Sequence, residues 1–298
     1  LYSSAASDVY KRQVLYGKSD KESLDTDVVA MQGNHAILGV QLGDEIQYLE
    51  CTSQETPFGY MGSFTDDREV LLLTEDGGKL ARTTKYEQDE NRVALEAAFK
   101  FDASGGLEGT ITRASSGIFY ANRMSLARLD QKDLSDYYYK AFDAINGLSV
   151  SNIQLNNDRM NVVYTESLDA TATNYGSKVG ANFLLRLNAF ALGRDAIPPK
   201  YAHRKSELII LRGTTQEDKI AITLPEGYEV GALPEDVVIE EQFGSYHATF
   251  RREGIQLYYT RTLKFNEGNY PVAQYENYRD FYKAVVRNDS QKVLIQKI

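Results

Sequence analysis

Val93, Leu95, Ala97, Phe99 and Phe101 place an apolar side chain on every second residue. Side chains alternate between the two faces of a strand, so a run of this period buries one face of a sheet and suits no helix. Asp102-Ala103-Ser104-Gly105-Gly106 is a turn, and Leu107, Gly109 and Ile111 return as a second strand of the same period. More strands are expected at about 148–156, 160–174 and 179–188. The pair Pro198-Pro199 then enforces an extended connection.

Residues 200–265 hold short strands at near-regular spacing. Ile220, Ile222 and Leu224 are followed by a Pro225-Glu226-Gly227 turn. Val237, Ile239 and Phe243 mark the next strand, then Tyr246, Ala248 and Phe250, then Ile255, Leu257, Tyr259 and Leu263. Spacing of this kind with turn signals reads as a β-sandwich. Two stretches break the pattern. Leu134, Tyr138, Ala141, Phe142 and Ile145 lie on one helical face, with Asp133 as expected N-cap and Gly147 as expected stop. Tyr275, Tyr278, Tyr282 and Val285 suggest a helix over about 273–287, before a last strand from Val293 to Lys297. The expected class is mainly β (α+β overall), antiparallel, with two or three helices and a β-sandwich-like end. No fixed-period repeat is present, which argues against a solenoid or propeller.

Composition narrows the function classes. The chain has 298 residues, 42% of them hydrophobic and 25% charged, which is globular usage. Its net charge of −9 argues against nucleic acid as partner. No apolar run is long enough to span a membrane as a helix, and no secretory signal is visible. A single cysteine, Cys51, excludes an internal disulfide and a cysteine-based zinc cluster. Trp is absent, while 21 Tyr suggest strand residues with one wet end; a sugar- or peptide-binding surface is the second account of that excess.

The stretch with chemistry runs from Gly33 to Arg82. Ala36 to Gln41 reads as one strand, Leu42-Gly43-Asp44-Glu45 as a turn and Ile46 to Cys51 as the return. His35 opens the first strand and Glu50 closes the second. Spacing alone makes them a His and a Glu on paired strands. Together with NHAI, YLECTSQ, PFGY and GGKL, the hairpin resembles the end of a transglutaminase-like (papain-related) catalytic domain. The resemblance runs on to the C-terminus and is to bacterial multi-domain proteins that set such a core between β-rich domains of unknown function. It implies a thiol enzyme acting on protein or peptide amide bonds. His35 would be the general base, then acid, and Glu50 would orient it. Asn34 would help position His35, or be a plain strand-edge polar residue.

Two departures matter. The family nucleophile is a Cys at a helix N-terminus before the His, and no Cys precedes His35. The family more often has Asp where Glu50 stands. If Glu50 faces His35, Cys51 faces the other way, and its ordinary role is that of a small buried hydrophobe. Residues 1–13 include SSAASDVYKRQ, which resembles translated sequencing-adapter sequence of the kind found at the ends of metagenomic assemblies. The expectation is therefore a fragment beginning mid-domain at about Val14 and inactive without the nucleophile. The expected divisions are 14–85 (end of the transglutaminase-like domain), 86–198 (β-rich with a helical insert) and 199–298 (β-sandwich-like).

The competing reading is a non-catalytic cell-envelope binding or scaffold protein. The resemblance suggests a periplasmic or envelope location. No cofactor is expected. His203 and His247 lack ligand-spaced partners, Asp66-Asp67 with Asp76 read as a solvated loop with no calcium register, and Gly77-Gly78 reads as a turn.

Overall fold

The computed structural model describes residues 11–15, 24–25, 27–30, 32–33, 35–191 and 197–298, the first of these as backbone only. Asn34 lies outside them, as do residues 1–10. The chain is mostly β, as expected.

The N-terminal sheet holds β1 (Lys11–Leu15), β2 (Ala36–Leu42), β3 (Glu45–Leu49), β4 (Glu69–Thr74) and β5 (Gly77–Arg82), in the order β3-β2-β1-β4-β5. The β2–β3 hairpin turns on Gly43 and Asp44, with Leu42 opposite Glu45; Gly43 sits at φ +62°, a conformation that glycine adopts without strain. The strand starts at Lys11, so the sheet includes residues 11–13. The turn of the second hairpin is Glu75-Asp76, and Gly77-Gly78 already belongs to β5. Between the hairpins lies a single helical turn, α1 (Gly62–Thr65).

The larger sheet takes in β6 (Arg92–Phe101) and β7 (Leu107–Ser115), the hairpin read from the alternating apolar residues. A short α2 (Ala121–Met124) and α3 (Gln131–Ala141) follow. The cap of α3 is Asp130, whose carboxylate accepts from the Asp133 N–H at 2.8 Å, and not Asp133 itself. The helix also ends earlier than expected, with Phe142 as C-cap, and Gly147 instead leads into β8 (Leu148–Asp158). Then come β9 (Val163–Ala172), β10 (Ser177–Val179), β11 (Asn182–Arg186), β12 (Leu208–Ile210), β13 (Thr214–Thr223) and β14 (Tyr228–Val230). The chain ends with β15 (Val237–Glu241), β16 (Gly244–Glu253), β17 (Gln256–Phe265), β18 (Gly268–Tyr270), α4 (Tyr275–Asp289) and β19 (Lys292–Lys297). Phe243 and Ile255, expected on strands, sit in the turns that follow β15 and β16. The described residues thus hold four α-helices, two of them single turns.

Eight strands form one sheet in the order β15-β16-β17-β13-β6-β7-β9-β8. All its pairings are antiparallel except β13 on β6, which are parallel. This one pairing joins strands from 86–198 to strands from 199–298. The four-stranded sheet β10-β11-β19-β14, with α3 and α4, covers one face. Phe99, Phe101, Phe183, Leu185, Ile222, Phe281, Val293 and Ile295 meet in that core. Fully burying such side chains contributes about 1.5–3 kcal/mol each.

Charges occur in this interior, in phase with the apolar positions. Arg113 on β7 lies opposite Glu166 on β9, and Asp218 on β13 opposite Arg261 on β17. The Tyr138 hydroxyl of α3 donates to Glu166 at 2.6 Å, with Arg113 and Arg123 at 3.6 and 3.4 Å from its carboxylate. Arg261 donates to Asp218 at 2.8 Å and lies 2.9 Å from Asp289, which also accepts from Tyr246 at 2.9 Å. Each long helix is therefore tied to the sheet by a buried ion cluster. Several tyrosines, expected to keep a wet end, are wholly buried, Tyr120, Tyr138 and Tyr246 among them.

Removing one partner leaves the rest of a cluster charged and dry. Glu166→Ala is expected to cost about 3–5 kcal/mol of unfolding free energy in urea titration. A loss under about 1 kcal/mol would show that the cluster holds nothing together.

Candidate active site

β2 and β3 bring His35 and Glu50 to one side of the hairpin. Leu38 lies opposite Leu49, so extending the register sets Glu50 diagonally from His35, on the face of Ile37 and Tyr48. Both residues stand just outside their strands, because β3 ends at Leu49. His35 Nε2 and Glu50 Oε2 are 2.9 Å apart, with side chains 20% and 12% exposed. The other carboxylate oxygen, Oε1, accepts from the Thr52 backbone N–H at 3.0 Å and from its hydroxyl at 2.7 Å. Both Glu50 oxygens are thus engaged, which fixes the carboxylate plane. Burial works against the Glu50 anion, but the bonds from Thr52 and His35 prevail and hold its pKa below the ordinary glutamate value.

A carboxylate on Nε2 favours the tautomer protonated there, which assigns the basic lone pair to Nδ1. Phe64 of α1 meets the His35 ring edge-on, with centroids 5.2 Å apart at 72°. This ring contact limits rotation of the imidazole. Arg68 stands over Phe64, 5.9 Å from the ring centre. Phe64 also lines a cavity of ≈390 Å³ with Ser63, Asp67, Arg68, Ile118, Leu211 and Arg212.

Cys51 is exposed, contrary to the expected buried role, and its thiol turns to the Leu49 carbonyl at 3.7 Å. Asp66 and Asp67 are buried, not a solvated loop. Arg212 donates to both Asp66 oxygens at 2.6 and 3.1 Å and to its carbonyl at 2.8 Å, while Arg82 donates to Asp67 at 2.6 Å. Burial raises the Asp66 pKa in spite of Arg212. The Asp66–Arg212 pair fastens the loop that carries Phe64 to the stretch between β12 and β13. Tyr60 assists by donating to the Gly117 carbonyl at 2.9 Å, and the Tyr86 hydroxyl accepts from the Met61 N–H at 3.0 Å. Burial pushes the Tyr86 phenol up to about 12. His203 is exposed, and His247 pairs with Glu240 on the surface. The described residues contain no group of three metal-ligating side chains.

Sequence reading missed Thr52, Phe64 and Arg212. Thr52 had a signal, a hydroxyl two residues after the carboxylate. The contact of Arg212 with Asp66 spans 146 residues and left no local signature.

The family model described as "Domain of Unknown Function with solved-structure structure (DUF3858)" matches residues 181–295, from within β10–β11 to β19. His35 and Glu50 lie outside that match. No curated protein sequence matches the chain. Among solved structures, one from Parabacteroides distasonis ATCC 8503, described as a "putative protease", aligns with 13% identity and a TM-score of 0.43. The alignment covers 96% of this chain and 39% of that one, so the chain spans well under half the length of that protein.

Because the folded-state pKa of Glu50 is lowered, its contribution is present above the ordinary glutamate pKa of about 4.3 and is lost as pH falls through and below it. Glu50→Gln is expected to cost roughly 1–2 kcal/mol at pH 7 and to flatten the acid limb of the stability profile. Parallel acid limbs for the two proteins in chemical denaturation from pH 7 to pH 3 would contradict this.

Proposed function

We propose that His35 and Glu50 are the base and the orienting carboxylate of a transglutaminase-like cysteine acyl-transfer centre that acts on amide bonds of proteins or peptides. The observation that carries this reading is the 2.9 Å contact of His35 Nε2 with a carboxylate that Thr52 holds from its other oxygen. In such a centre a thiolate attacks the amide carbonyl. The imidazole takes the thiol proton through Nδ1 and returns it to the leaving amine, while the carboxylate stabilises the imidazolium. The DUF3858 match is compatible with the multi-domain setting implied by the resemblance.

On this reading Cys51 is not the thiol: its side chain is exposed and lies 3.7 Å from the Leu49 carbonyl. On this reading the present chain supplies two members of a triad, and the nucleophile comes from sequence beyond it. The reading also assigns the protein to the periplasm or cell envelope, on the resemblance alone.

The isolated chain is expected to show no peptide hydrolysis and no amine incorporation into casein. Turnover that disappears in Cys51→Ala would contradict it. A longer protein that adds a cysteine nucleophile to this chain is expected to be active. His35→Ala should then lower its kcat by at least about a thousandfold, with Glu50→Gln less severe. Full activity of His35→Ala in that protein would overturn the assignment.

A further inference from the structure

The face of the eight-stranded sheet away from the core carries a trough that runs across the strands. Two adjoining depressions of ≈470 and ≈530 Å³ share Ala98, Thr110 and Ala221, so they form one channel. Register sets its line: Tyr258, Ala221, Ala98, Thr110, Asp169 and Ser151 stand side by side on β17, β13, β6, β7, β9 and β8. Five inter-strand steps of about 4.8 Å make it roughly 24 Å long. Ala98 and Ala221 keep the floor low at the centre, where the parallel strands meet. Lys219 and Glu96 rise on one side, and Thr223, Lys100 and Glu108 on the other.

The lining favours a particular chemistry. Four of its five charges stand in pairs: Lys219 donates to Glu96 at 3.1 Å, and Lys100 stands opposite Glu108 in register; Asp169 adds one further carboxylate. No net positive field is left to draw a phosphate chain or an acidic ligand. Hydroxyls and amides lie along both walls and are aligned by their own bonds. Thr112 and Ser167 are 3.2 Å apart, and Gln256 donates to Thr223 at 2.9 Å. Asp169 accepts from Asn152 at 2.6 Å. At one end the Tyr258 ring is 36% exposed, an aromatic platform with a polar tip. An added peptide strand pairs with an open sheet edge, whereas this channel crosses the middle of the face at right angles to the strands. The occupant that matches a straight, hydroxyl-lined channel with paired charges, one further carboxylate and one aromatic platform is an extended sugar chain. We propose that this trough binds an uncharged, linear β-linked oligosaccharide. The site is independent of the His35–Glu50 pair.

The full chain is titrated calorimetrically with cellohexaose, mannohexaose and xylohexaose. Binding of at least one at a single site is expected. Tyr258→Ala should weaken it about tenfold. Ala98→Arg, which fills the floor from an exposed position, should abolish it. Thermal midpoints close to that of the parent confirm that both variants are folded, and Tyr258→Ala decides the matter alone if Ala98→Arg is unstable. Absence of binding by all three sugars, or binding that Tyr258→Ala leaves unchanged, overturns the proposal.

Discussion

β13 lies parallel against β6, and this pairing makes one sheet of strands drawn from two stretches of chain. It sets Asp218, Ile220 and Ile222 beside Leu95, Ala97 and Phe99 on a single inner face. The core is then continuous from the β8 edge to the β15 edge, and α3 and α4 share one floor. The same pairing puts Ala221 beside Ala98 on the outer face, which creates the low centre of the trough. Core and surface channel thus have a common cause.

The buried charges gain their meaning from that frame. Glu166 and Asp289 anchor tyrosines of the core and arginines of neighbouring strands, so each long helix can dock in one position only. An apolar interior would tolerate sliding of a helix along its stripe; a buried ion cluster does not, since displacement leaves a dry charge. A third, smaller cluster, Asp66 with Arg212, does the same for the loop bearing Phe64. The His35 environment is in this way coupled to residues far along the sequence.

Much of the architecture was legible from local pattern. The alternation through Phe101 gave β6 with nearly correct ends and the start of β7, which runs four residues past Ile111, and the tyrosine spacing gave α4 within two residues. The hairpin with His35 and Glu50 was legible too. Cys51 is exposed where burial is expected, since alternation says which face a residue takes but not whether anything covers that face. The parallel β6–β13 pairing was not legible: its strands lie over a hundred residues apart, and no turn marks their meeting. Arg113, Glu166, Asp218 and Arg261 did carry a signal, each being a charge in phase with a buried apolar run. Asp133 precedes the first apolar residue of the stripe, but the helix begins earlier, on its polar side, with Asp130 as cap.

The protonation state of the His35 ring shows whether Glu50 holds it as a base. Long-range 1H–15N correlation spectra, with His35 assigned by loss of its signals in His35→Gln, read the tautomer at a pH where the imidazole is neutral. The geometry predicts a ring protonated on Nε2 in the parent and a mixture of tautomers in Glu50→Gln. A ring protonated on Nδ1, or the same spectrum in both proteins, would contradict the claim that Glu50 holds His35 ready to act as a base.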